Sequence, residues 1–184
     1  MKKMIFLLVT APLLVMSGCA ATQQSVTTTV DGTEIELNVD SINCQNAIYA
    51  LENYDFVLEA NSLATKRGRT IFVNSSTNFI SLSDGKAVVQ IAAHPAAPGP
   101  NGIGGITVEG RVSNVELKTD KKGNRMLSMN VFGTGISATV FITLAADSHT
   151  ATATVTANTN PAKVILNGYL YPSVISEVYK GRSL

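Results

Sequence analysis

The sequence predicts a mostly β protein: an antiparallel meander that forms a β-sandwich or a partly closed barrel, with one short N-terminal helix. Apolar and polar residues alternate along many short segments, as they do in half-buried strands. Glycine, asparagine and aspartate separate these segments, which indicates short turns. No long helices separate the strands, so a parallel α/β fold is not expected. Sandwich and barrel both protect sheet edges and produce the same alternation, so the choice between them stays open.

The N-terminus has the layout of a bacterial lipoprotein signal peptide. Lys2 and Lys3 precede an apolar run over residues 4–15, and small residues then lead into Cys19. The run is shorter than the roughly 20 residues that a membrane-spanning helix needs. In signals of this type the chain is cut before the cysteine, whose sulfur carries a diacylglycerol. We therefore predict Cys19 as the lipid attachment site and a membrane as the partner of the anchor.

This prediction divides the chain into a signal peptide (1–18), a lipidated tether (19–25) and a single β domain (26–184). Ala20 stands where an aspartate tends to hold lipoproteins at the inner membrane, so we expect an outer-membrane protein that faces the periplasm. Loss of the signal peptide leaves 12 of the 14 basic residues against 13 acidic ones. This near-neutral balance, without a basic stripe, gives no reason to expect nucleic acid as a partner.

The first element of the domain is predicted to be a β-hairpin. Alternating residues on both sides of Asp31-Gly32 fit a two-residue loop that pairs Val30 with Thr33 and Thr28 with Ile35.

A helix over residues 41–53 follows, with Asp40 or Ser41 as its cap. Its apolar residues, which include Cys44 and Leu51, form a narrow stripe at helical spacing. We therefore expect the helix to lie across one opening or edge of the sheet.

The rest of the domain is predicted to consist of strands. The phase of the alternation shifts near Ser113-Asn114, which indicates a β-bulge. Asp84-Gly85 and residues 120–124 are predicted turns, and the tail from Ser173 is left unassigned. The predicted strands cover residues 54–60, 70–73, 79–82, 87–93, 106–117, 127–131, 136–144, 150–157 and 164–170.

No residue pattern identifies a reaction centre, so no catalytic residue, metal ligand or cofactor is predicted. His94 and His149 are the two histidines of the chain, too few and too isolated for zinc-site spacing. Asp147, Ser148 and His149 are consecutive, and neighbours on an extended chain point to opposite faces, so they are interpreted as a polar turn. Carboxylates that converge only in the fold stay open as an alternative.

The Pro/Gly-rich segment from His94 to Gly105 is the candidate contact loop for a ligand or partner. It lacks the Gly-Lys-Ser/Thr ending of a phosphate loop. Rigid scaffolds often carry function on such loops, although an ordered crossing loop is the simpler interpretation of the segment. The candidate site residues are His94, Asn101, Gly102, Gly104 and Gly105.

Several glycine-containing and apolar motifs occur in the strands and the tail: Asn78-Phe79-Ile80, Val88-Val89-Gln90-Ile91, Gly104-Gly105-Ile106-Thr107-Val108-Glu109-Gly110, Ile165-Leu166-Asn167-Gly168 and Tyr179-Lys180-Gly181. With these motifs the chain resembles a family of small Gram-negative lipoproteins, the domain-of-unknown-function family numbered 4251. The likeness covers roughly residues 45–182 and differs at 91–95, where family members carry a Leu-Pro-Tyr-like segment. It implies a β architecture and an envelope location, and it supplies no catalytic residues.

Together these features lead us to expect an outer-membrane-anchored, non-enzymatic binding or structural module, with an envelope protein as a possible partner. Two alternatives stay open. The protein could carry a lipid or small hydrophobic ligand if the sheet closes around a cavity, or it could be an envelope hydrolase.

Overall fold

The computed structural model describes five stretches of the chain: residues 25–30, 33–65, 68–94, 99–158 and 163–183. The signal peptide and Cys19 lie outside these residues, and so do positions 95–98 of the candidate loop. Within them the chain forms eleven strands and one α-helix, with single 3-10 turns at Ser75–Thr77 and Ser173–Ile175. The elements are β1 (Ser25–Val30), β2 (Thr33–Asn38), α1 (Val39–Glu52), β3 (Phe56–Thr65), β4 (Thr70–Phe72), β5 (Phe79–Ser83), β6 (Lys86–Ala92), β7 (Gly105–Thr119), β8 (Arg125–Gly133), β9 (Ser137–Leu144), β10 (Thr150–Ala157) and β11 (Lys163–Pro172).

Eight antiparallel strands close into a barrel in the order β3-β5-β6-β7-β8-β9-β10-β11. Closure comes from the pairing of β11 with β3, which runs from Val164 opposite Thr65 to Pro172 opposite Phe56. Strand β4 pairs with the second half of β3, on the edge where β5 pairs with the first half. The structure is therefore a closed barrel, and the sandwich alternative is wrong.

The two ends of the barrel differ. At the helix end lie α1 and the turns β5–β6, β7–β8 and β9–β10. At the mouth lie the connections β3–β4, β6–β7, β8–β9 and β10–β11. The candidate loop is the β6–β7 connection, so it belongs to the mouth.

Helix α1 closes the helix end and begins slightly earlier than predicted. Its N-cap is Asn38, whose Oδ1 accepts a hydrogen bond from the N–H of Ser41 at 3.0 Å. Asp40, a predicted cap, lies in the first turn instead, where an acidic side chain interacts favourably with the helix dipole. The residues of α1 that face the barrel are buried: Cys44, Ala47, Ala50 and Leu51.

The predicted alternation is confirmed in the strands, including the bulge in β7. The register with β8 shifts between Ser113 and Glu116, and Asn114 there has a φ of 51°. The first hairpin also has the predicted register, with Val30 opposite Thr33 and Thr28 opposite Ile35.

Strand β3 starts later and extends further than predicted. Tyr54, predicted to begin it, has a φ of 57° in the turn that precedes the strand. A register shift opposite Asn167 and Gly168 makes Asn61 an extra residue in β3. This bulge reverses the phase of the alternation, which is why the pattern ends at Ala60 in the sequence.

Candidate functional site

The mouth of the barrel opens into an apolar cavity of about 360 Å³. Five strands and the loop before β7 contribute to its wall. This volume falls in the lower part of the range of small-molecule sites, about 300–1,000 Å³. The lining residues are Val89, Ile91, Ala93, His94, Gly104, Gly105, Ile106, Val108, Ile136, Ala138, Val155, Ala157 and Val164.

The interior of the barrel is filled at the helix end and open at the mouth. At the helix end, large residues such as Phe56, Leu58 and Leu144 are fully buried and fill the interior. At the mouth, β9 contributes Ala138 and β10 contributes Ala157. Protein interiors normally leave few voids larger than a water molecule. The sequence therefore leaves this half of the barrel unfilled.

A second cavity of about 260 Å³ adjoins the first at the side of the mouth, next to β4. The two cavities share four lining residues: Ile91, Ala93, His94 and Val164.

The hydrogen-bond ladder between β5 and β6 ends at Asn78, whose buried side-chain carboxamide continues it. Asn78 Oδ1 accepts from the N–H of Ala92 at 2.8 Å, and Nδ2 donates to the carbonyl oxygen of Ala92 at 3.3 Å. Beyond this point, β4 pairs only with β3 in the described residues.

One histidine and one arginine side chain lie at these cavities. His94 lines both of them, and Arg69 lines the second. Both residues are exposed to solvent. No acidic residue lines either cavity.

The candidate loop divides between two locations. His94, Gly104 and Gly105 line the main cavity, and the N–H of His94 donates to the carbonyl oxygen of Gly104 at 3.0 Å. Gly102 lies in an exposed turn with a φ of 79°. Asn101 is 2% exposed and lines neither cavity; its Oδ1 accepts from the N–H groups of Ile103 and Gly105.

Gly105 has no room for a side chain. A Cβ atom there would stand 1.7 Å from the carbonyl oxygen of Ile91. The start of β7 therefore passes closer to β6 than any other residue would allow.

A fully buried glutamine on the outer face was not identified from the sequence. Gln90 Nε2 donates to the carbonyl oxygens of Thr77 at 3.0 Å and Tyr179 at 2.7 Å. Its Oε1 accepts from Thr107 Oγ1 at 2.9 Å and from the N–H of Gly181 at 2.7 Å. All four hydrogen-bonding positions of the carboxamide are thus used. The sequence feature that could have identified it is a polar glutamine among the apolar residues of Val88-Val89-Gln90-Ile91.

Gln90 holds the C-terminal strap, which we define as residues 176–183, against the outside of the barrel. The strap starts at β3, where Ser176 Oγ donates to Glu59 Oε1 at 2.7 Å. It then passes Gln90 and reaches Asn101, whose carbonyl oxygen accepts from the N–H of Arg182 at 3.0 Å. The backbone of Asn101 therefore contacts the strap, while its side chain bonds the loop and Thr107.

Glu109 forms the last contact of the strap. Its Oε2 accepts from Lys180 Nζ at 2.7 Å and from Ser183 Oγ at 2.8 Å. These two hydrogen bonds, that of Lys180 first, hold the pKa of the Glu109 carboxyl below its ordinary value. The ion pair is partly exposed, so it contributes little by itself.

Three rings meet on the outer face near the helix end. The His149 imidazole stacks on Tyr169, with the centroids 4.7 Å apart and the planes at 25°, and Tyr171 is tilted against it at 5.7 Å. Burial lowers the pKa of His149 and raises that of Tyr171. In the adjacent turn, Ser148 Oγ accepts from the N–H of Thr150 at 2.8 Å. This arrangement agrees with a turn and contains no Ser-His relay.

A polar cleft at the helix end includes two carboxylates, Asp120 and Asp147. Asp120 Oδ1 accepts from the backbone N–H groups of Lys122 at 2.7 Å and Asn124 at 2.9 Å. A further hydrogen bond from the Asn124 side chain is the main reason why the pKa of Asp120 is lowered. A glycoside hydrolase needs one carboxylic acid that stays protonated, and these bonds favour the ionised form.

Within the described stretches, no three His, Cys, Asp or Glu side chains gather as they would around a metal ion. Among the same residues, no helix combines the length and the apolar character that crossing a membrane requires.

Comparisons with known proteins agree with this architecture. The model of the family described as "Domain of unknown function (DUF4251)" matches residues 23–170. The match starts before the first residue of the expected likeness and ends before the strap. A crystal structure of a DUF4251 family protein from Bacteroides eggerthii DSM 20697 has a TM-score of 0.68 and 43% sequence identity. The alignment covers 79% of this chain and 98% of that chain. No curated protein matches the chain. The chain therefore belongs to the DUF4251 family.

Proposed function

We propose that this protein is a lipid-anchored envelope carrier that binds a small hydrophobic ligand in the mouth of its barrel. The observation that carries the proposal is the cavity of about 360 Å³, with its almost wholly apolar wall. Of the functions considered from the sequence, the carrier is the one that requires a closed sheet around such a space.

The wall supplies affinity through burial of apolar surface. A ligand that loses about 300 Å² of apolar surface gains roughly 7 kcal/mol. Association itself costs several kcal/mol, which is subtracted from this gain. Because a micromolar dissociation constant corresponds to about 8 kcal/mol of net binding free energy, burial of this extent gives binding weaker than micromolar, which suits a carrier that must also release its cargo.

Lipidation at Cys19 would hold the carrier at the periplasmic face of the outer membrane, where an envelope protein could deliver or receive the ligand. Mass spectrometry of the membrane-extracted protein tests the anchor. A diacylglyceryl group on Cys19 is expected at the new N-terminus. A protein that keeps residues 1–18, or a Cys19 that carries no diacylglyceryl group, would contradict the anchor.

The ligand site can be tested with the chain that starts at Ala20. The chain from Ala20 contains every residue that the family model matches, 23–170, and circular dichroism verifies its fold before titration. We expect the chain to bind the neutral fluorophore N-phenyl-naphthylamine with an increase in emission. Ala138→Phe places a ring in the cavity and should abolish that increase. Ala157→Leu, nearer the rim, should weaken it.

The matched control is Thr139→Phe, which adds the same ring on the exposed outer face of β9. It should bind like the unmodified chain, and circular dichroism should show that all variants keep their β structure. Folded Ala138→Phe and Ala157→Leu proteins that bind the fluorophore unchanged would refute the site. Organic extraction of protein purified from its own membranes should also release a bound molecule.

A further inference from the structure

We infer that the ligand is a single-chain amphiphile with an anionic head group, its tail in the barrel and its head at Arg69 and His94. This inference rests on the proposed function and specifies the chemical class of the cargo. The shared chemistry is a carboxylate or a phosphate on an alkyl chain.

The two cavities adjoin each other between a charged edge and an apolar interior. Arg69 and His94 line the second cavity, and His94 also lines the main one. Ile91 and Ala93 continue the wall from the first cavity to the second. A linear molecule that spans both cavities would have its polar end beside two nitrogen-bearing side chains and its alkyl chain against an almost wholly apolar wall.

Charge is distributed unequally between the two ends of the barrel. Among the described residues, the connections at the mouth contain no acidic residue, and the β3–β4 connection contributes Arg69. Such a distribution raises the local concentration of anions at the mouth. The turns at the helix end carry four acidic residues, Asp55, Asp84, Asp120 and Asp147, against two basic ones, Lys121 and Lys122.

Arg69 has the chemistry to bind an anionic head group, and it takes part in none of the ion pairs found among the described residues. A guanidinium presents a fork of donors that matches carboxylate and phosphate oxygens, and it stays charged at all relevant pH values. The ion pairs found in the described part of the chain involve other residues: Lys118 with Glu116, Arg125 with Glu52 and Lys180 with Glu109.

The test compares four probes that share one alkyl chain and differ in the head group: dodecanoate, dodecyl phosphate, dodecanol and dodecyltrimethylammonium. Each is titrated against the chain from Ala20 loaded with N-phenyl-naphthylamine. We expect an anionic probe to displace the fluorophore at about fivefold lower concentration than dodecanol, the ratio typical of one partly exposed ion pair. The ammonium probe should be the weakest, and high salt should reduce the differences.

Arg69→Gln and His94→Gln should each reduce the preference for the anionic probes and leave dodecanol displacement unchanged. Arg111→Gln is the matched control, because Arg111 is exposed on β7 and lines neither cavity. It should keep the full preference. Whichever of dodecanoate and dodecyl phosphate binds more tightly identifies the head group.

The outcomes separate the two proposals. Equal displacement by dodecanoate, dodecyl phosphate and dodecanol would overturn the head-group inference and leave the hydrophobic carrier in place. A preference that survives in both Arg69→Gln and His94→Gln would also overturn it. Failure of all four probes and of the fluorophore to bind would refute the proposed function itself.

Discussion

Replacement of Gln90 by leucine should release the C-terminal strap and destabilise the barrel. The side chain is fully buried and makes four hydrogen bonds, two of them to the backbone of the strap at Tyr179 and Gly181. Leucine has a comparable size and no polar atom. The variant therefore removes the hydrogen bonds while filling most of the same space.

The magnitude follows from these contacts. Each hydrogen bond contributes about 0.5–1.5 kcal/mol net, so four give roughly 2–6 kcal/mol. The upper values are not reached, because a detached strap lets water satisfy the freed groups at Tyr179 and Gly181. We expect a loss of about 2–4 kcal/mol in the free energy of unfolding, which for a domain of this size lowers Tm by about 10 °C.

Urea unfolding and trypsin cleavage together measure the two effects. Lys180 and Arg182 lie in the strap, so its release should accelerate trypsin cleavage there before the barrel unfolds. The matched control is Gln45→Leu, the same change at an exposed position of α1, which should alter stability by less than about 0.5 kcal/mol. A Gln90→Leu protein with unchanged unfolding and unchanged strap cleavage would show that Gln90 does not hold the strap.

Two further predictions concern the barrel wall. Gly168→Ala should lower the free energy of unfolding by more than about 3 kcal/mol, because a Cβ would lie 1.8 Å from the carbonyl oxygen of Glu59. Gly68→Ala, in open space with a φ of 78°, should lower it by only about 1 kcal/mol. Similar urea midpoints for the two variants would contradict the clash. Burial lowers the pKa of His149 below 6.5, so the contribution of this residue to stability is complete above pH 6.5 and is lost as the pH falls below 6.5. His149→Phe keeps a ring against Tyr169 and should make the decline in Tm between pH 7 and pH 5 shallower. An unchanged decline would assign the pH dependence to other groups.

Local features of the fold were predictable because they depend on neighbouring residues. The register of the first hairpin follows from a two-residue Asp-Gly loop, and the bulge at Asn114 follows from a shift in phase. The exact helix start was not predictable, because Asn38, Asp40 and Ser41 can all cap a helix. The bulge at Asn61 hid the second half of β3, because it reversed the alternation on which strand prediction depends.

The site was only partly predictable. The loop from His94 to Gly105 was identified by its composition, and the structure places His94, Gly104 and Gly105 on the main cavity. Asn101 belongs to the strap contacts instead. Arg69 was not singled out, since nothing in a single exposed arginine indicates that β4 brings it beside His94.

The sequence alone determined most of the strand pattern, the turn positions and the helix, because each depends on residues close together in the chain, and it also predicts the anchor at Cys19. The tertiary structure decided that the sheet closes, since the pairing of β3 with β11 joins segments about a hundred residues apart. It also decided where space remains. Small residues such as Ala138 and Ala157 leave a cavity only when several strands present them at the same end of the barrel, and that coincidence is a property of packing in three dimensions.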